Sequence, residues 1–191
     1  MKGYDYTRAG AYYVTVCTQD RLPLFGEVVD ERMALNAMGA VVQRWCDAIP
    51  EHMPMVVLDE CIVMPNHMHG IIVITERTDV PSPVGAGNFP PLRGMEPDPT
   101  EPPTDDPVRA GHSPPKRRIA IMVKNSLGHI MQTFKAAVSR QVYRDGLLPR
   151  GTPVWQRGYY EHIIRDDGEW MRIADYIRDN PANWGSDRFN R

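Results

Sequence analysis

Two histidines and one tyrosine stand out as residues that could do chemistry. His67-Met68-His69 opens an apolar run, His67 to Thr75 (HMHGIIVIT), that reads as a β-strand. Side chains alternate across a strand, so His67 and His69 share a face and Met68 points the other way. Two neutral imidazoles on one face suit a divalent ion. The other reading is a chance pair at a strand edge with no metal. A third ligand must come from elsewhere. Cys61 could supply sulfur for a zinc site, but it lies six residues before His67 across a tight turn, and nothing sets its face. The last helix offers a better source. There Tyr176 and Asn180 are an i, i+4 pair beside the apolar stripe Trp170, Ile173, Ala174 and Ile177. They read either as a phenol and an amide brought to the sheet, or as a boundary aromatic and a C-terminal cap before Pro181.

The elements that would carry these residues are legible. Ala11 to Thr18 (AYYVTVCT) alternates in polarity and is β-branched and aromatic, which predicts a strand. Leu35 to Ile49 has helical spacing at Met38, Val41, Val42, Trp45 and Ile49, with Pro50 as a stop. Met55 to Met64 is a second strand, joined to the histidine strand by a Pro65-Asn66 turn, which predicts an antiparallel hairpin. Ile119 to Tyr143 reads as a long helix with Ile130, Phe134, Val138 and Val142 on its apolar face. Tyr159 to Ile164 reads as a strand, and Asp167 as the cap of the last helix. The order βαββαβ is the split βαβ, ferredoxin-like arrangement. The expected fold class is therefore α+β: an antiparallel sheet with helices packed on one face, and a C-terminal helix carrying the tyrosine. The second face of the sheet is expected to be available for a ligand.

The chain has 191 residues, 22 Lys+Arg against 24 Asp+Glu, and a net charge of -2, which excludes a wholly basic nucleic-acid coat protein. The average conceals a gradient. Residues 1–75 carry a net -4, residues 76–115 a net -4, and residues 116–191 a net +6. A local positive field can dock a polyanion whatever the total. Proline is also uneven: 11 of 18 lie between Pro81 and Pro115, in a stretch with no apolar period. Residues 77–116 therefore read as a mobile insertion within a single domain spanning 1–191. Cys17, Cys46 and Cys61 are odd in number and scattered, with no CxxC. With no long apolar run and no leader pattern at Met1 to Tyr6, this predicts a cytoplasmic protein.

Four segments then carry a resemblance: AYYVTVCTQDRLPLFG (11–26), PNHMHG (65–70), WQRGYYEHIIR (155–165) and YIRDNP (176–181). Together they resemble the REP-associated tyrosine transposases of the single-tyrosine HUH superfamily, over about 150 residues. The resemblance implies the same ferredoxin-like fold. It implies Tyr176 as nucleophile, His67 and His69 as metal ligands, and Asn180 at the place of a third polar ligand. It implies Mg2+ or Mn2+ as the ion. It also implies nicking and rejoining of single-stranded DNA beside a hairpin or palindromic repeat, through a 5′-phosphotyrosine intermediate, by a monomer or a homodimer. DNA contacts are then expected from the basic C-terminal part: Lys124 and Lys135 on the long helix, Arg157 and Arg165 flanking the last strand, and Tyr159 and Tyr160 stacking on unpaired bases. Trp155 is expected in the core, and His162 as either a proton shuttle or a structural residue. Two other functions compete. One is a hairpin-binding repressor or maintenance protein that does not transpose, which would dispense with the histidines or the tyrosine. The other is a small zinc hydrolase using His67, His69 and Cys61.

Overall fold

A computed structural model describes residues 9–75 and 126–190. The 77–116 insertion, the segment 119–125 and Lys124 lie outside the described residues. The main sheet has four strands: β1 (Gly10–Cys17), β4 (Val56–Met64), β5 (His67–Ile74) and β6 (Tyr160–Ile164). Their order is β4-β5-β1-β6 with every neighbouring pair antiparallel, which is the split βαβ order. Between β1 and β4 lie a hairpin of β2 (Gly26–Val29) and β3 (Arg32–Leu35), then α1 (Ala37–Asp47) and the single turn α2 (Ile49–His52). The long helix α3 (Leu127–Arg144) leads to β6, and α4 (Asp167–Arg178) follows it.

Period-two alternation divides the sheet into two faces. Val14, Val16, Met68 and Ile72 pack with Val41 and Val42 of α1 and Ile130, Phe134 and Val138 of α3. Trp155 joins this core beside Phe25 and Phe134, at ring-centroid distances of 5.2 and 5.9 Å. Ala11, Tyr13, Ile71 and Ile164 point the other way, where Ala174 and Ile177 of α4 cover them. The second face is thus not left open: α4 lies across it because its stripe needs apolar partners, and only the other side of the sheet still has them.

Helix starts follow their caps. Asn36, Ser126 and Asp166 each accept a backbone N–H three residues on, which satisfies a donor the helix cannot. The long helix therefore begins at Leu127, and the last cap is Asp166 rather than Asp167. Pro50 does not stop α1, which ends at Asp47; it sits in the first turn of α2, where its missing N–H is not needed.

Two devices set the histidine turn and α4. Thr18 N–H and Thr18 Oγ1 both donate to Asn66 O, at 2.9 and 3.0 Å, and Phe25 N–H donates to Pro65 O at 3.0 Å. Gly39 lets α1 close on that clamp, since a Cβ there would lie 2.1 Å from Phe25 O. The second device is a bulge in β4 between Leu58 and Cys61. It turns Asp59 and Glu60 toward α4, where Asp59 Oδ2 accepts from Trp170 Nε1 at 2.7 Å and Glu60 lies 3.5 Å from Arg178. At the other edge His162 Nε2 pairs with Glu169 Oε1 at 2.7 Å. His162 is thereby an anchor for the first turn of α4, and its bond holds the Glu169 carboxyl below the usual carboxylate range.

Candidate active site

The site forms where β1 and β5 meet under α4 and the C-terminal segment 184–189. His67 and His69 are both 0% exposed, with Nε2 atoms 3.0 Å apart. Asn66 sets the state of His67. Its amide nitrogen donates to Phe189 O and Arg21 O, at 2.7 and 3.2 Å, which leaves Asn66 Oδ1 as the acceptor 2.8 Å from His67 Nδ1. A carbonyl oxygen cannot donate, so Nδ1 carries the proton and Nε2 keeps its lone pair. His69 Nδ1 faces two hydroxyls, Tyr13 Oη at 2.8 Å and Thr15 Oγ1 at 2.9 Å, which can donate to it or accept from it. Outer partners on both Nδ1 atoms are the support that metal-ligating imidazoles need.

Burial lowers the pKa of both imidazoles. His67 falls to about 4; Asp187 opposes the shift, and Arg188 and Arg21 add to it. His69 falls well below its usual value, again chiefly by burial, then by His67 and Arg188. Both rings are therefore neutral at pH 7, as ligation requires. The sign for stability follows. Between pH 4 and 6.5 the unfolded chain binds more protons than the native one, so stability falls as pH falls. For His67 alone the loss between pH 7 and pH 5 is about 2 kcal/mol. Urea unfolding at the two pH values checks this, and equal stability at both would refute the burial of neutral rings.

Tyr176 descends onto this pair from α4, and Asn180 from the turn just past the helix end at Arg178, so the two are not an i, i+4 pair on one helix. The Tyr176 ring lies 5.4 Å from His69 and 6.4 Å from Tyr13, and the residue is 42% exposed. Its phenol pKa is raised, first by burial and then by Asp187, so it holds its proton at neutral pH. Asn180 is 1% exposed; its Nδ2 donates to Asp187 Oδ2 at 3.1 Å, and its Oδ1 has no partner. A buried carbonyl oxygen without a donor costs about 1–3 kcal/mol, and a cation removes that cost. Among the described residues no three His, Cys, Asp or Glu side chains converge on one point. The donor set that fits a divalent ion is two imidazole nitrogens and one amide oxygen.

Cys61 is not part of it. It packs against the core on the α1 and α3 side, because the hairpin register pairs it with Gly70 and pairs Ile62 with His69, which places it on the face opposite the histidines. The zinc hydrolase arrangement loses its third ligand.

The expected DNA-contacting residues divide. Tyr160 is on the histidine face, 6.2 Å from Tyr13 and 52% exposed, whereas Tyr159 packs against the opposite core. Lys135 Nζ donates to Gln156 O and Gly158 O, at 2.6 and 2.8 Å, and so holds the loop that carries Arg157. Arg157 and Arg165 are exposed, Arg157 before β6 and Arg165 after it.

Several site residues escape sequence reasoning. Tyr13 and Thr15 share the site face by the same alternation that pairs the histidines, so strand parity could have found them. Asp187, Arg188 and Phe189 lie in a short irregular segment with no periodic signal. Phe189 stacks 4.5 Å from His67, and its ring is flanked by Arg21 and Arg188 at 5.2 and 4.7 Å.

A Haemophilus influenzae protein of undescribed activity is 34% identical over 188 residues, covering 98% of this chain and 89% of that one. A second protein of that organism, provisionally named a REP-associated tyrosine transposase, is 24% identical over 181 residues, covering 95% of this chain and 75% of that one. Among solved structures, a REP-associated tyrosine transposase bound to a REP hairpin shares the fold, with a TM-score of 0.50 and 18% identity over 97% of this chain and 75% of that one. No family model matches. The chain belongs to one family with the 34% identical Haemophilus influenzae protein, and its sequence and fold are similar to those of REP-associated tyrosine transposases.

Proposed function

We propose that this protein nicks and rejoins single-stranded DNA beside a hairpin, with Tyr176 as the nucleophile. The observation that carries the reading is the meeting of the Tyr176 ring and the buried His69 at 5.4 Å, with the unpartnered Asn180 Oδ1 just past the end of the same helix. His67 Nε2, His69 Nε2 and Asn180 Oδ1 would hold a divalent ion, Mg2+ or Mn2+. Bound there, such an ion would polarise the scissile phosphate and offset charge in the transition state. Tyr176 Oη attacks phosphorus and loses its proton. The P–O3′ bond breaks, the 3′ oxygen takes a proton, and the 5′ phosphate remains on the tyrosine. The covalent link conserves the bond for rejoining. α4 carries Tyr176 and ends two residues before Asn180, so the nucleophile stays near the group that Asn180 engages.

The test is incubation with labelled single-stranded DNA from the gene's flanks, carrying a hairpin, in Mn2+. A covalent adduct on a denaturing gel is expected; no adduct on any hairpin-bearing strand would refute the reading.

The DNA surface should include Arg21 and Arg188. Among the described residues neither is paired with a carboxylate; Arg188 acts electrostatically on both histidines and Arg21 on His67. Arg21→Ala and Arg188→Ala should each weaken binding about equally for all sequences and reduce the slope of log affinity against log salt by roughly one. A hairpin with a single-stranded flank should bind more tightly than a blunt duplex of the same sequence. Fluorescence anisotropy at several salt concentrations measures both effects.

A further inference from the structure

We propose that Asp187 is a positioning residue whose carboxylate fixes which end of the Asn180 amide faces the metal site. This rests on the reading of His67, His69 and Asn180 as one divalent-ion site. Asp187 Oδ2 accepts from Asn180 Nδ2 at 3.1 Å, and Tyr176 Oη donates to the same oxygen at 3.5 Å. Oδ1 of the same carboxylate accepts the backbone N–H of Phe189 at 2.6 Å, so the group cannot rotate freely. Phe189 is in turn held by Asn66 Nδ2 on its carbonyl, the same Asn66 whose Oδ1 takes the His67 Nδ1 proton.

An amide is nearly symmetric in shape and can bind either way round. Its nitrogen end repels a cation, and its oxygen end ligates one. A carboxylate oxygen only accepts, so Asp187 obliges Asn180 to turn its NH2 toward residue 187. Oδ1 is thereby left free, as its lack of any partner records. The same carboxylate also orients the Tyr176 hydroxyl, so one group aligns both the ligand and the nucleophile. No other described role requires a carboxylate here, since the Phe189 N–H would be equally served by a neutral acceptor.

The experiment is Mn2+ binding to the full chain, followed by electron paramagnetic resonance of the free ion. Asp187→Ala should weaken Mn2+ affinity about tenfold or more, as loss of an outer-shell partner does. Asp187→Asn has one acceptor oxygen for two donors, Asn180 Nδ2 and the Phe189 N–H, so it should also weaken the affinity. The deciding arm is Asn180→Asp. Both ends of that side chain are oxygens, so nothing is left to orient, and Asp187→Ala added to it should cost no affinity. A tenfold loss from Asp187→Ala in both backgrounds would mean that the residue only docks the C-terminal segment, and would overturn the proposal. So would unchanged affinity in Asp187→Ala alone. Failure of the wild-type chain to bind Mn2+, or equal binding by His69→Ala, would instead overturn the metal reading and this inference with it.

Discussion

Tyr176→Phe is expected to abolish the covalent protein–DNA adduct while leaving the fold and DNA binding in place. The substitution removes one oxygen from a residue already 42% exposed. The hydrogen bond lost, to Asp187 at 3.5 Å, is long, so the change in stability should stay below about 1 kcal/mol. Three other tyrosines lie close enough to be considered. Tyr13 bonds His69 Nδ1 through its hydroxyl and is buried, its phenol pKa raised by that burial, so it acts on the histidine and cannot reach a phosphate. Tyr159 packs on the far side of the sheet. Tyr160 shares the site face and is the one serious rival. Tyr160→Phe should keep the adduct, and Tyr160→Ala should weaken DNA binding by the roughly 1–3 kcal/mol that a base stacked on an aromatic ring contributes. An adduct that persists in Tyr176→Phe and disappears in Tyr160→Phe would reassign the nucleophile.

Removal of either histidine is expected to reduce cleavage by at least a hundredfold, as removal of a chelatable ion should. The two variants are not equivalent for folding. His67→Ala leaves Asn66 Oδ1 buried without its donor, at a cost of about 1–3 kcal/mol. His69→Ala leaves Tyr13 Oη and Thr15 Oγ1 bonded to each other at 3.1 Å, so it is the cleaner test. Melting temperature separates the two effects: His69→Ala should melt nearer the wild-type protein than His67→Ala does, yet fail to cleave. Wild-type protein in excess chelator should fail likewise and recover with Mn2+. Full cleavage by His69→Ala, or by wild type in chelator, would refute the metal assignment.

Much of the fold was legible because local patterns and global packing agree. The apolar alternation of Tyr12, Val14 and Val16 and the stripe of Ile130, Phe134 and Val138 each bury where their periods point. The β2–β3 hairpin has no such signal, because none of its eight strand residues is buried and five of them are exposed. The Cys61 alternative fell to the hairpin register, which pairs Cys61 with Gly70 and Ile62 with His69 and so turns Cys61 to the opposite face.

For the site, the division is one of range. The sequence alone determined that His67 and His69 share a face, from the two-residue period of a strand, and that Tyr176 lies on a face of the last helix, from its helical period, whereas Asn180 lies past the helix end at Arg178. Tertiary structure decided that those two faces meet, because α4 covers the sheet side that α1 and α3 leave free. It also decided the state of the donors. Asn66 reaches Phe189 across 123 residues of chain, and Asp187 returns past the end of α4 to take the Asn180 amide. Closures of that length depend on the packing of the whole molecule, and no local period encodes them.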